Sequence, residues 1–242
     1  PRSIKSSGGE VLSSPARIVV ISNGQTYRVP TEGTVTVTKE KPWRVHFKGS
    51  SSAAGIRFSA AGKIEQDGLT DIQLTYEPAG DPVRIEELRI EWPVDDTLRN
   101  YMVVIGPGGN YCTREIGAVP AGNGVVWDTL HDLGTQGSGM TKGNFYGNVW
   151  VGTEKRGLLW AGDSDRGWVP SDTTAAHSLK RGPNTVIIRN HIIGTAPDEK
   201  PFTLDGARTI RFQYNASPFK PLDKGFRVNM RSAGNGFEGQ PG

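Results

Sequence analysis

The sequence contains a single cysteine, Cys112, and only four histidines, which are scattered along the chain. One cysteine forms no internal disulfide and excludes zinc sites built from cysteine clusters. No two histidines have the spacing of a metal-binding motif. The apolar runs fall well short of the roughly 20 residues that span a bilayer. These absences exclude a disulfide-stabilised scaffold and a cysteine zinc fold, and they predict no membrane span.

The chain also lacks a strong charge of either sign, because 28 Lys and Arg residues face 25 Asp and Glu residues, for a formal net charge of +3. The densest basic stretch, residues 39–48, alternates with the apolar Val45 and Phe47. That alternation is typical of a strand with one solvated face rather than of a nucleic-acid-binding surface. We therefore expect no nucleic-acid partner.

Convincing helical periodicity is absent, whereas turn residues are abundant: 32 glycines occur among 242 residues, against an average share of about 7%. Short runs rich in Val, Ile, Tyr, Phe and Trp recur every eight to twelve residues, which is typical of a sandwich. We predict an all-β protein, a large antiparallel β-sandwich of supersandwich-like type. A glycine-rich segment, residues 106–147, is predicted as a long loop insertion.

Local signals predict three features within the strands. Asn23-Gly24 between two apolar runs predicts a tight hairpin, and Ala60 to Gly62 predicts the loop of another. A phase change at Glu86-Glu87 predicts a β-bulge, because a one-residue slip would otherwise turn the apolar set to the other face. Pro93 predicts the end of its strand or an edge position.

The domain organisation follows from this pattern. We predict a polar lead-in at residues 1–15, the sandwich at 16–223, and a linker at 224–242, where periodicity is lost. The chain begins at Pro1 rather than at a methionine, so we expect a piece of a processed or longer protein.

Three of the six tryptophans lie between residues 150 and 168, in two short strands followed by a polar turn. Indole rings either fill a sandwich core or, when exposed, stack under sugar rings. Alternation favours the core for Trp150 and Trp160. Trp168, which follows the polar turn, is open to either interpretation.

Asp163 and Asp165 in that turn allow two sharper hypotheses. Two aspartates two residues apart can supply part of a calcium site. A pair of carboxyl groups can also act as general acid and base in the hydrolysis of a glycosidic bond. However, neighbours on one turn rarely lie on opposite sides of a substrate, and turn aspartates usually bond their own backbone. We predict no cofactor, with calcium at Asp163 and Asp165 as the one weak alternative.

Three segments resemble bacterial glycoside hydrolases related to family 123. They read GNVWVGTEKRGLLWAGDSDRGW at 147–168, IEELRIEWPVDDTLRNYMVV at 85–104 and RTIRFQYNASPFKPLD at 208–223. The resemblance implies an N-terminal β-sandwich followed by a (β/α)8 barrel that carries the catalytic carboxylates. The alternating pattern of such a barrel is absent from this sequence, so no catalytic residue is carried over.

The resemblance implies a non-catalytic module of a secreted enzyme, extracellular or periplasmic, whose partners are a C-terminal barrel and a glycan. Its predicted glycan-binding residues are Trp168, Arg166, Asp165, Trp127 and Tyr111. One alternative is a structural or interaction protein of a surface assembly, which an exposed apolar patch or an unpaired edge strand that docks a second chain would favour. Another is a stand-alone enzyme that uses the two turn aspartates.

Overall fold

The structure is a computed structural model that describes residues 1–6, 8–30, 33–105, 113–130, 144–169 and 173–218, with the side chains of 113–116 left aside. These residues form strands and one 3₁₀ turn, Asp96–Leu98. No helix in this part of the chain has the length and apolarity needed to cross a bilayer. The strands are β1 Lys5–Ser6, β2 Gly9–Glu10, β3 Arg17–Ser22, β4 Gln25–Arg28, β5 Thr34–Lys41, β6 Arg44–Ala53, β7 Ile56–Glu65, β8 Thr70–Pro78, β9 Val83–Ile85, β10 Glu87–Asp95, β11 Tyr101–Ile105, β12 Thr113–Ala118, β13 Gly124–Asp128, β14 Asn148–Gly152, β15 Gly157–Gly162, β16 His177–Gly182, β17 Thr185–Gly194, β18 Phe202–Leu204 and β19 Arg208–Ser217.

Two large antiparallel sheets contain most of the strands. The six-stranded sheet has the order β13-β16-β17-β10-β3-β4, and the nine-stranded sheet has the order β12-β11-β14-β15-β19-β8-β7-β6-β5. Strands β1 and β2, and strands β9 and β18, form two small ribbons. The predicted all-β sandwich is therefore confirmed.

The hairpin at Asn23-Gly24 is confirmed, because β3 and β4 pair on either side of it. Both turn residues have positive φ, 53° and 70°, as the favoured two-residue hairpin turn requires. The predicted loop at Ala60 to Gly62 is wrong. Strand β7 runs straight through it, since these small residues fit under a neighbouring ring: a Cβ on Gly62 would lie 2.7 Å from Cζ of Phe47.

The predicted β-bulge is not at Glu86-Glu87 but close to it in the sheet. At Glu86 the chain leaves the ribbon strand β9 and enters β10, so no single strand carries the phase change. The bulge lies nearby on the partner strand, where the β10–β17 register shifts between Leu88 and Arg89. Strand β10 continues through Pro93 to Asp95, so Pro93 does not end its strand. The pairing with β3 ends at Glu91, and on that side the Pro93 carbonyl accepts from Ser13 N. The missing N–H of the proline therefore removes no hydrogen bond between β10 and β3.

Residues 106–147 are not one long loop. Strands β12 and β13 both lie within them, and they pair with β11 and β16 respectively. Residues 106–112 and 131–143 are outside the described part. The lead-in contributes to packing as well, since Val11 and Leu12 are buried in the core.

The core lies between the two sheets. On β10 the alternate residues Leu88, Ile90, Trp92 and Val94 face inward and are buried. The Trp92 ring meets Phe212 and Tyr214 of β19 at centroid distances of 6.2 and 5.0 Å. Since β10 and β19 belong to different sheets, these contacts join the two layers.

Replacing Trp160 with alanine should cost about 3–5 kcal/mol of unfolding free energy, because its ring is fully buried. The same change at Trp43, which is 50% exposed, should cost less than about 1 kcal/mol. Urea unfolding followed by circular dichroism measures both. Equal losses would contradict the assignment of Trp160 to the core.

Candidate functional site

Strands β14 and β15 form the tryptophan hairpin, and its two rings lie on opposite faces of the sheet. Trp160 is fully buried in the core, as predicted. Trp150 is on the outer face and half-buried, where a Cβ on Gly157 would lie 2.7 Å from its ring atom Cε2. Its Nε1 donates to Oγ of Ser217 at 3.1 Å. The core prediction therefore holds for Trp160 and not for Trp150.

The turn before Trp168 directs that ring inward. Gly167 has φ +84°, and a Cβ there would lie 2.1 Å from the carbonyl oxygen of Thr209, so only glycine fits. Its own carbonyl accepts from the Tyr76 hydroxyl at 2.6 Å. Trp168 is consequently only 5% exposed, with its ring 5.0 Å from that of Phe145. Such a ring has no free face for a sugar.

His177 completes this aromatic cluster as a neutral residue. Burial, together with the charge of His191, lowers the pKa of His177 to about 3. Its Nδ1 accepts from the side-chain amide of Asn190 at 3.1 Å, and the Asn190 oxygen accepts from Trp92 Nε1 at 2.8 Å. His177 is therefore a structural residue of the core.

The predicted glycan-binding residues differ in their exposure. Asp165 and Arg166 are exposed, Trp127 is buried, and Tyr111 is outside the described residues. Asp165 and Trp168 line a very small cavity together with His191. Glycan binding by the predicted set stays a prediction, although neither Trp127 nor Trp168 offers a stacking surface.

The turn aspartates are not part of a larger group of metal-binding side chains in the described residues. Asp163 and Asp165 are both exposed, and nowhere in the described ranges do three or more His, Cys, Asp or Glu side chains come close enough to hold a metal. Calcium at this turn stays an untested prediction.

A second group of polar side chains lies on the outer face of the six-stranded sheet, on the opposite side from the core. We call it the polar cluster, and it consists of Glu87, Arg89, Glu91, Ser178, Arg189 and His191. Glu91 is paired with Arg189 across β10 and β17, and Arg189 with Ser178 across β17 and β16. Alternation thus brings side chains from three strands together.

A hydrogen-bonded chain runs through this cluster from Ser178 to Glu87. His191 Nδ1 is 2.7 Å from Glu87 Oε1, and His191 Nε2 is 2.9 Å from Ser178 Oγ. Burial raises the pKa of Glu87, but the hydrogen bond from His191 and the nearby arginine charges outweigh burial and lower it. Glu87 is then a carboxylate acceptor, so His191 donates to it from Nδ1, while Nε2 faces the serine hydroxyl.

Glu91 is the anion shared by three arginines. Its Oε1 accepts from Arg89 Nε at 2.8 Å and from Arg189 at 3.0 Å, and its Oε2 accepts from Arg17 Nε at 2.9 Å. Burial raises the pKa of Glu91, yet these guanidinium groups outweigh burial and hold it below the usual range. The carboxylate side chain is 6% exposed, so its partners are fixed in place.

An open cavity of about 350 Å³ adjoins the cluster. Its lining includes Glu87, Ser178, Arg189 and His191 from the cluster, with Asp128 from β13. Glu86, Thr174, Thr195, Ile21 and Val125 complete much of the remaining wall. The cavity therefore presents carboxylates, donors and small apolar groups side by side.

A different surface lies at the far edge of the nine-stranded sheet. Strand β5 is exposed along its whole length, and register places its valines in rows with apolar residues of β6 and β7. These rows share the face of Leu74, which is in the core. We call this uncovered inner surface the overhang face, and it consists of Val35, Val37, Val45, Phe47 and Ile64.

An apolar cleft of about 240 Å³ opens next to the overhang face. Val35 lines it together with Phe58 and Trp92, which belong to the core. Val35 itself is 69% exposed. The cleft thus connects the exposed strand β5 with the border of the core, whose residues Phe58 and Trp92 remain buried.

Neither surface is predicted from the sequence. Residues 87 and 191 are 104 positions apart, so no local motif contains the Glu–His pair. The one usable signal is the alternation of charges at 87, 89 and 91 and again at 189 and 191, which indicates two strands with polar faces.

Glu91→Gln should lower the unfolding free energy by about 3 kcal/mol at pH 7, because it removes the buried carboxylate charge that Arg17, Arg89 and Arg189 share. The lowered pKa of Glu91 adds stability above the carboxyl's unfolded pKa, and this contribution is lost as pH falls through the folded value. The difference between variant and wild type should therefore shrink below about pH 4. Glu77→Gln, in an exposed pair with Arg57, is the control and should cost less than about 1 kcal/mol.

The comparisons with known proteins give one family. A family model described as glycoside hydrolase 123, third domain, matches residues 2–168, and no curated protein matches the chain. Among solved structures, a galactose mutarotase related enzyme from Lactobacillus acidophilus has 10% identity over 91% of this chain and 92% of that chain, with a TM-score of 0.46. A glycoside hydrolase family 97 enzyme from Pseudoalteromonas sp. strain K8, in complex with panose, has 11% identity over 89% and 32%, with a TM-score of 0.48. Because the family model covers more than half of the chain, the protein belongs to the glycoside hydrolase 123 third-domain family.

Proposed function

We propose that this domain is a non-catalytic module of a glycoside hydrolase and packs through the overhang face against another domain of the same protein. The observation that carries the proposal is the uncovered apolar surface of β5, β6 and β7, which is continuous with the core. Val37 is 56% exposed and Ile64 is 40% exposed. Contiguous apolar surface of this kind marks an interaction site.

A domain of the same polypeptide is the proposed occupant because the matching family model describes a third domain, which implies at least two others beside it. A tethered neighbour gains effective concentration from its linker, so it can cover the surface with modest area. The five side chains of the overhang face are apolar, and the charged Glu40, which pairs with Val45, lies at its border. A mainly apolar surface suits a permanent contact rather than a transient polar one.

The lowered pKa values of three partly or fully buried carboxyl groups argue against a general-acid role for these residues. A glycosidase general acid needs a raised pKa so that it holds a proton at working pH. Glu87 and Glu91 have lowered pKa values because arginine and histidine partners outweigh their burial. Asp71 has a lowered pKa as well, through its hydrogen bonds from Arg211. These carboxylates are anions in fixed ion pairs, unsuited to donating a proton.

The catalytic carboxylates are then those of a (β/α)8 barrel elsewhere in a secreted bacterial enzyme, and this module supports the barrel and shapes its cleft. Its position before that barrel remains a prediction from the resemblance. The glycan is bound where the two domains meet, outside the cell or in the periplasm.

The proposal is tested by measuring hydrogen–deuterium exchange rates of the β5 amides in the 242-residue chain and in the full-length protein. We expect the amides of β5 to exchange at least 10-fold more slowly in the full-length protein, because the neighbouring domain covers them. Val37→Lys should restore fast exchange there. Thr36→Lys, one residue away on the opposite face of the same strand, should leave the protection intact.

Equal exchange of β5 in the two proteins would show that the overhang face stays open, and the proposal would fail. Protection that appears in the 242-residue chain as its concentration rises would instead point to a second copy as the occupant. That outcome would favour the interaction protein over the glycosidase module.

A further inference from the structure

The apolar cleft beside the overhang face lies between the two sheets. Ile18 of β3 and Trp92 of β10 line it from the six-stranded sheet. Phe58 of β7 and Phe212 of β19 line it from the nine-stranded sheet. We propose that this cleft is a binding pocket for one large apolar side chain of the neighbouring domain, an inference that rests on the proposed packing of the overhang face.

The cleft exists because small residues occupy inward positions between the two sheets. The register places Val35, Gly49, Ala60 and Leu74 in one row across β5 to β8. Leu74 is in the core, but Gly49 and Ala60 are too small to reach across the roughly 10 Å that separates packed sheets. Protein interiors are otherwise close-packed. The row therefore leaves space at the border of the core that a side chain from outside can fill.

The lining favours an uncharged, apolar occupant. Among the described residues that line the cleft, Arg17 alone has a charged side chain, and its Nε already donates to Glu91 at 2.9 Å. Pro1 also contributes to the lining, but it is exposed to solvent. An apolar group gains free energy by leaving water for such a place, whereas a charged or unpaired polar group loses it.

The volume of the cleft fits one side chain better than a free ligand. It is about 240 Å³, which is below the roughly 300–1,000 Å³ of typical small-molecule pockets. It is also larger than the roughly 150 Å³ of an apolar cavity that binds one benzene molecule. A side chain the size of leucine or phenylalanine is therefore the expected occupant. Delivered by a tethered domain, it avoids much of the entropy cost that a free molecule pays on binding.

The position of the cleft favours the same domain that covers the overhang face. Val35 belongs to both surfaces, so a body that covers Val35 and Val37 also lies next to the cleft. A side chain directed from that body into the cleft approaches Phe58 and Trp92. Anchor residues of stable interfaces typically fill pockets of this kind. The cleft would thus fix how the neighbouring domain is placed on the overhang face.

The test uses toluene as the probe of the cleft in the 242-residue chain and in the full-length protein. Both are labelled with carbon-13 at the valine methyl groups, and Val35→Ile assigns the Val35 resonances by removing them. We expect toluene to shift these resonances in the 242-residue chain in a saturable way, with a dissociation constant on the order of a millimolar. The full-length protein should bind toluene at least 10-fold more weakly, because the neighbouring side chain already fills the cleft.

Ala60→Leu fills the cleft from within, so it should weaken toluene binding by the 242-residue chain at least 10-fold. The matched control is Ala61→Leu, which is exposed on the outer face of the same strand and should leave the affinity unchanged. In the full-length protein, Ala60→Leu should make the β5 amides exchange at least 10-fold faster than in the wild type, because the neighbouring side chain no longer fits.

The absence of a saturable Val35 shift in the 242-residue chain would overturn the proposal. Equal toluene affinity of the two proteins, together with slow β5 exchange in the full-length protein, would remove the pocket and leave the packing of the overhang face intact. Fast β5 exchange in both proteins would remove the packing itself and the pocket with it. A small apolar molecule that toluene displaces from the native full-length protein would overturn the side chain in favour of a free ligand.

The toluene titrations of the two wild-type proteins need no cleft-filling variant. They therefore decide whether the cleft is filled in the full-length protein even if Ala60→Leu fails to fold.

Discussion

The position of Trp92 is the constraint on which both faces of the six-stranded sheet depend. Its ring packs against Phe212 and Tyr214 of the opposite sheet, and its Nε1 bonds the side chain of Asn190 on the neighbouring strand. This fixes the register of β10 against β17. Because side chains alternate along a strand, burying Trp92 places Glu91 on the outer face, directly opposite Arg189. The order of the polar cluster therefore follows from the packing of the core.

The fold is largely predictable from the sequence, and the candidate surfaces are not. Period-two alternation and the Asn23-Gly24 turn indicate strands and a hairpin that the structure contains. The loop predicted at Ala60 to Gly62 failed because small residues also occur inside a strand, where a ring such as that of Phe47 covers them. Strand β12 was missed because its pairing with β11 carries no local signature. Contacts between distant strands decide such cases.

The polar cluster cannot be predicted from the sequence for the same reason. Glu87 and His191 meet only because β10 and β17 are neighbours in the sheet, and spacing along the chain does not contain that information. The tryptophan hairpin, by contrast, has a strong local signal, yet it builds the core. Aromatic richness in the hairpin thus marks the core of the sandwich, while the side chains of the two candidate surfaces are mostly aliphatic or charged. Gly157 and Gly167, which lie next to Trp150 and Trp168, allow close packing, because a Cβ at either position would meet a neighbouring atom.

The edge of strand β5 limits how a second body can approach. The unpaired backbone groups of a free edge strand can pair with a strand of another chain, and repetition of this pairing leads to aggregation. Here the β5–β6 register is broken between Val37 and Lys39, and the strand ends in Lys39, Glu40 and Lys41. An irregular, charged border is a poor template for ladder growth. Strand addition at this edge is thus disfavoured, and the face of the sheet, rather than its edge, is the surface on which an apolar contact can form.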